Sequence, residues 1–161
     1  MNAVSKNLLQ VIEKIKPQLL TITELQASEK LYNDKWSIKE ILGHLIDSAA
    51  NNHQRFVRMQ EVKDLGEFRY NQEHWVKSQH YQDKRWEDVI NTWYYYNHHL
   101  AHVIAHIDET KLNNTCDMGY PLPATLRFIA EDYVRHLQHH LNQIFSGTDP
   151  RQREKWTTQL R

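Results

Sequence analysis

The sequence predicts an all-α protein, a four-helix bundle, and three observations carry that expectation. Glycine and proline number only four each in 161 residues, so few positions interrupt a helix. Four segments repeat apolar residues at spacings of three and four, the period of a helix with one buried face. One long connection, residues 60–84, separates the second segment from the third. That is more chain than an antiparallel helix hairpin needs.

The first segment places Leu8, Val11, Ile12, Ile15, Leu19 and Ile22 on one face. Its period runs through Pro17, which predicts a kink there or two abutting helices. The second opens at Ser37, whose hydroxyl can cap the helix while Glu40 closes a capping box. Ile38, Ile41, Leu42, Leu45, Ala49, Phe56 and Val57 follow at helical spacing. Within the long connection, Asn71 can cap a short helix through Trp75 and Val76. The third segment runs from about Trp86 to Ile107 and carries Val89, Trp93, Tyr96, Leu100 and Val103. Residues 108–122 are expected to form a loop, with turn signals at Asn113-Asn114 and Gly119-Tyr120-Pro121. The fourth segment begins near Pro123 and is expected to end before Ser146-Gly147, with Gly147 as its stop. It carries Leu126, Ile129, Ala130, Tyr133, Leu137, Leu141 and Ile144. The expected organisation is one domain over residues 1–147 and a polar C-terminal tail, 148–161.

Composition excludes several function classes. Lysine plus arginine equals aspartate plus glutamate, 20 each, so the basic excess that draws proteins to nucleic acid is missing. No apolar run approaches the ~18 residues of a membrane span. The opening MNAVSKNLLQVIEK lacks the apolar stretch of a secretory signal. A single cysteine, Cys116, forms no internal disulfide, and a cytoplasmic setting is expected.

Histidine is the unusual component, at 11 residues. The stretch RHLQHHLNQI, 135–144, puts three imidazoles beside an apolar stripe. With about 100° per residue, His136 and His140 fall on one edge of the stripe centred on Leu137, and His139 points away. Two imidazoles at i and i+4 can chelate one ion. In the second segment, His44, Ser48 and Arg55 make a polar edge beside the apolar face. Asn52 sits near the centre, where a leucine would be expected, and needs hydrogen bonds to justify burial. A single histidine at such an edge is more often structural than a ligand. His98, His99, His102 and His106 of the third segment share similar spacings on a mostly solvated face and are expected to be surface residues.

The stretch KWSIKEILGHLIDSAANNHQRF resembles the second-helix signature of the DinB-like superfamily, and EDYVRHLQHHLNQI resembles its fourth-helix signature. The resemblance covers about residues 5–146. It implies a bundle of up-down-down-up order, which suits a long connection between helices two and three. It also implies that the family's metal-binding histidines match His44, His136 and His140, and that homodimers are common. Members include metal-dependent enzymes that use low-molecular-weight thiols.

Three neutral imidazoles leave at least one position open on a divalent ion, as in catalytic zinc sites. The same ligands suit nickel and iron. A bound thiol would become a thiolate, the form that attacks electrophilic carbon. The leading expectation is therefore a cytoplasmic, homodimeric thiol S-transferase acting on a small molecule. The alternatives are a metal-dependent hydrolase and a non-catalytic dimeric metal-binding or interaction protein. Ser48 and Arg55 are the candidate cofactor-binding residues, Arg55 as an anchor for a carboxylate or phosphate. Asp132 is a candidate orienting group for the imidazoles. Trp36, Trp75, Trp93 and Tyr96 could wall the pocket or fill the core, and Cys116 is expected to be incidental.

Overall fold

A computed structural model describes residues 1–30 and 35–148. Of the expected tail, 148–161, Thr148 ends the last helix and residues 149–161 lie outside the described residues. Four long helices make the bundle: α1 (Asn2–Leu19), α3 (Ile38–Glu61), α5 (Trp86–Ala105) and α6 (Leu126–Thr148). Two short helices, α2 (Glu24–Ser28) and α4 (Gln72–Gln79), lie in the connections. No helix among the described residues is long and apolar enough to cross a membrane.

The helices pack as a ring. α1 contacts α5 and α6, and α3 contacts the same two, so α1 lies diagonal to α3 and α5 diagonal to α6. Diagonal placement of successive helices needs long connections, and both connections are long. The core is filled where the predicted stripes meet: Leu8 and Ile12 of α1, Leu45 and Phe56 of α3, Trp93 and Leu100 of α5, Ile129, Leu137 and Ile144 of α6.

Local chemistry sets the helix ends. Ser37 accepts from the Glu40 amide while the Glu40 carboxylate accepts from the Ser37 amide, closing the expected capping box of α3. Asn71 caps α4 through the His74 amide at 3.0 Å. No side chain of its own caps α5. Instead the Glu24 carboxylate of α2 accepts from the Trp86 amide at 2.7 Å, a negative charge against the positive end of the helix. Lys39, buried within α3, donates to Glu24 and to the Lys84 carbonyl at 2.8 Å. One ammonium thus ties α2, α3 and the start of α5 together.

Three expectations need correction. α1 runs as one helix through Pro17, which sits in its last turn, so two abutting helices do not form there. A new helix, α2, begins after Thr23 with its own capping box to Gln26. α6 runs through Ser146 and Gly147 to Thr148, so Gly147 is not its stop. Residues 108–122 are not a plain loop. Thr115–Asp117 (β2) pairs in parallel with Asp64–Glu67 (β1) and antiparallel with Ala124–Thr125 (β3). The strands are four, three and two residues long, too short to show an alternating pattern. Their sheet staples the two connections together at one end of the bundle.

From Leu42 to Ala49 every residue of α3 is buried. α5 and α6 cover its inner side, and α2, α4 and the 3₁₀ turn Tyr81–Asp83 cover the rest. Gly43 makes this cover possible, because its Cα lies against the Tyr81 ring, in space a methyl group would occupy. Gly43→Ala should therefore destabilise by about 1–3 kcal/mol through overpacking. Its thermal midpoint should drop by roughly 2–4 °C per kcal/mol. An unfolding curve superimposable on wild type would contradict this packing.

Candidate metal centre

α3 and α6 face each other, and each brings histidine to the contact. His44 is fully buried in the middle of α3. His136 and His140 are half-buried, one helical turn apart on α6. The Nε2 of His136 lies 3.3 Å from the Nε2 of His44 and 3.1 Å from that of His140. Ligand atoms of all three lie within 4.8 Å of one another. Sequence reasoning named these three residues, and the fold brings them to one point.

The other ring nitrogens show which atoms are free to bind. His140 Nδ1 lies 2.7 Å from Gln143 Oε1, and the amide nitrogen of Gln143 lies 3.1 Å from His139 Nε2. The carboxamide is thus oriented so that Nδ1–H of His140 donates, which leaves its Nε2 as a lone pair. His136 Nδ1 faces the Ser48 hydroxyl at 3.5 Å, a group that can accept from Nδ1–H. Lone pairs at 3.1 Å repel one another unless a cation lies between them. Tetrahedral zinc sites hold nitrogen about 2.0–2.1 Å from the ion, which spaces neighbouring donors by about 3.3 Å. The donor set and its spacing fit a divalent ion.

Electrostatics agree with that fit. Burial first, and the neighbouring imidazoles second, push His44 down to about 3 and His136 to about 4. Burial lowers His140 as well. All three rings are neutral near pH 7, so protons compete little for the lone pairs.

The remaining candidates divide. Ser48, named above as a cofactor-binding candidate, adjoins His136 Nδ1 at 3.5 Å. Asn52 explains its place on the apolar stripe: its amide donates to the Ser48 carbonyl at 2.9 Å and to the Ser48 hydroxyl at 3.3 Å. Its own carbonyl accepts from Arg55 Nη1 at 3.2 Å. Arg55 departs from its expected role as a substrate anchor. It is 3 % exposed, and its Nη2 donates to the Phe68 carbonyl at 2.7 Å, latching α3 to the chain beyond β1. Asp132 pairs with Arg135 at 3.0 Å instead of orienting an imidazole.

Of the aromatic candidates, Trp36 alone stacks near the centre, its ring 5.0 Å from that of His44. Trp93 is core, Tyr96 meets His53, and Trp75 packs on Tyr70. A cavity of about 370 Å³ opens beside Trp36, lined also by Lys30, Lys35, Asn71, Glu73, Val76 and Lys77. None of the three histidines lines it, so the chemistry is located by the donor atoms and not by this hollow. Cys116 lies fully buried in β2, where burial raises its thiol pKa despite nearby Arg55. His99 and His102 of α5, and His106 just after it, are exposed. Gln143 was missed. Its only signal was a carboxamide three residues after His140 on the same helix.

A family model for the DinB superfamily matches residues 2–144. No curated protein sequence matches the chain. Among solved structures, the chain is similar to YfiT from Bacillus subtilis, with a TM-score of 0.75 and 17% identity, covering 89% of this chain and 85% of that one. YfiT is described as "a probable metal-dependent hydrolase with an unusual four-helix bundle topology". At that identity the likeness establishes the shared fold.

The depressed imidazoles make the metal-free protein sensitive to acid. Between pH 6.5 and about 4 the unfolded chain takes up protons that folded His44 and His136 refuse. Each refused proton costs stability at about 1.4 kcal/mol per pH unit as pH falls. Asp47 acts in the opposite sense. Burial raises it to about 6 from 3.8, so its contribution is present below 3.8 and is lost as pH rises to 6. The two imidazoles outweigh the one carboxyl, and the denaturant midpoint of metal-free protein should be lower at pH 5 than at pH 7. His44→Gln should flatten that slope, and an unchanged slope would refute the assignment.

Proposed function

This chain belongs to the DinB superfamily, and from that premise we propose that it is a metal-dependent enzyme in which His44, His136 and His140 hold a divalent ion that activates a small nucleophile. The favoured nucleophile is the sulfur of a low-molecular-weight thiol, transferred to an electrophilic carbon. The carrying observation is the meeting of Nε2 atoms at 3.1 and 3.3 Å, with the far nitrogen of His140 bonded to Gln143 and that of His136 facing Ser48.

A divalent ion held by His44, His136 and His140 would make a bound thiol or water more acidic. The chain's own residues do the rest. Gln143 holds the His140 ring in the tautomer that points its Nε2 lone pair inward, and Ser48 lies beside the outer nitrogen of His136. Trp36 lies against His44, its ring 5.0 Å from the imidazole. No protein side chain is required as nucleophile, and the buried, pKa-raised thiol of Cys116 is unsuited to that task. With a haloarene acceptor, the sulfur–carbon bond forms as the carbon–halogen bond breaks and halide leaves.

A second reading replaces the thiol with water and makes the protein a hydrolase. The description of YfiT favours it, since that protein shares the fold. The same three histidines serve both.

Metal analysis of purified protein tests the centre. Wild type should carry close to one equivalent of a divalent ion, and the variant combining His136→Ala with His140→Ala close to none. Equal content in both sinks the site. A thiol panel with a haloarene acceptor should give turnover that the double variant lacks. Ester turnover without thiol would select the hydrolase, and metal-loaded protein inert in both assays would overturn the catalytic reading.

A further inference from the structure

The outward nitrogens of the three imidazoles meet different fates. Gln143 serves His140, and Ser48 lies beside His136. His44 Nδ1 is buried and has no partner. For His44 to present a lone pair at Nε2, its proton must sit on Nδ1. That makes it a buried N–H donor without an acceptor.

Among the described residues, four buried side-chain polar atoms lack a partner: His44 Nδ1, Asp47 Oδ2, Arg55 Nε and Trp93 Nε1. Asp47 is the one that offers an acceptor. It is 1 % exposed and stands three residues after His44 on α3, and positions i and i+3 are neighbours on a helix surface. Its Oδ1 is already engaged, accepting from the Tyr81 hydroxyl at 2.7 Å and from Gln79 Nε2 at 3.3 Å. Oδ2 is left over. An unsatisfied donor and an unsatisfied acceptor thus lie one turn apart on the same buried stretch of α3. Arg55 Nε and Trp93 Nε1 are donors and cannot serve His44.

We propose that Asp47 is the positioning residue of His44: its Oδ2 accepts from His44 Nδ1–H through one bridging water, and so fixes the tautomer and orientation of that ring. The proposal rests on the metal-centre reading above. It gives each imidazole its own kind of outer partner: a carboxamide for His140, a hydroxyl for His136 and a carboxylate for His44. Outer partners of this kind commonly set ligand basicity and metal affinity. Tyr81 and Gln79, by holding Oδ1, keep the carboxylate aimed, which gives the fold over α3 a part in tuning the centre.

The test compares Asp47→Asn with wild type by Zn²⁺ titration against a chromophoric chelator. Ser5→Ala serves as a control for general destabilisation. Its hydroxyl bonds the Ala101 carbonyl at 2.6 Å, joining α1 to α5 away from the three histidines. Asp47→Asn should lose roughly 10- to 100-fold in Zn²⁺ affinity. Ser5→Ala should bind as wild type does. Nitrogen-15 spectra of metal-free protein should show His44 in the Nδ1–H form in wild type and as a tautomer mixture in Asp47→Asn, a change that mere loosening of the fold would not produce. Wild-type affinity in Asp47→Asn, or an equal loss in Ser5→Ala, overturns the role of Asp47 while leaving the metal centre standing. Zn²⁺ affinity unaffected by His136→Ala with His140→Ala overturns both.

Discussion

The structure turns on the face between α3 and α6, where His44 meets His136 and His140. Two helices far apart in sequence are held so that three ring nitrogens converge within a few ångströms. Imidazoles that close, with their Nε2 lone pairs turned toward one another, do not attract one another. Packing around them must hold the arrangement, and the apolar stripes of the same helices supply it, with Leu45 on α3 and Leu137 and Leu141 on α6 all buried. A cation at the centre would turn that strain into binding, which is why a site of this kind couples metal affinity to fold stability.

The second constraint is the cover over α3. A bundle helix ordinarily shows one face to water. Here the chain between α3 and α5 folds back over the outer side, so that eight successive residues of α3 are buried. Gly43 admits the Tyr81 ring, Lys39 binds carbonyls of the covering chain, and Arg55 reaches the Phe68 carbonyl. The small sheet pins the far end of the same connection, with the Phe68 amide donating to the Asp117 carbonyl at 3.0 Å. Burial on all sides makes the polar residues of α3 consequential. Ser48, Asn52 and Arg55 form a connected line from His136 to the covering chain, and Asp47 holds its turn beneath Tyr81. A substitution there changes a desolvated network and not a solvated surface.

Much of this was legible in the sequence. The apolar periods gave four helices, and the Ser37 and Asn71 caps placed two helix starts. The i, i+4 spacing singled out His136 and His140, and the edge of the α3 stripe held His44, which only the family resemblance joined to that pair. The ends that failed did so for physical reasons. Gly147 is a turn signal in the sequence, yet the described helix runs one residue past it, to Thr148. Strands of two to four residues carry too few positions to display a period. The fate of Arg55 depended on a backbone carbonyl thirteen residues away, which no side-chain pattern encodes.

What the sequence by itself determined was the four long helices, the identity of their buried faces and the i, i+4 pair His136 and His140, because period and spacing are properties of a single helix; His44 joined that pair only through the family resemblance. The tertiary structure alone decided that α3 faces α6, that the 62–84 segment closes over α3, and which outer nitrogens find partners. Those outcomes depend on contacts between residues distant in the chain, where burial sets both the pKa of His44 and the need of Asp47 for a donor. Helix geometry is local and can be read along the chain. Desolvation is collective and exists only once the elements have packed.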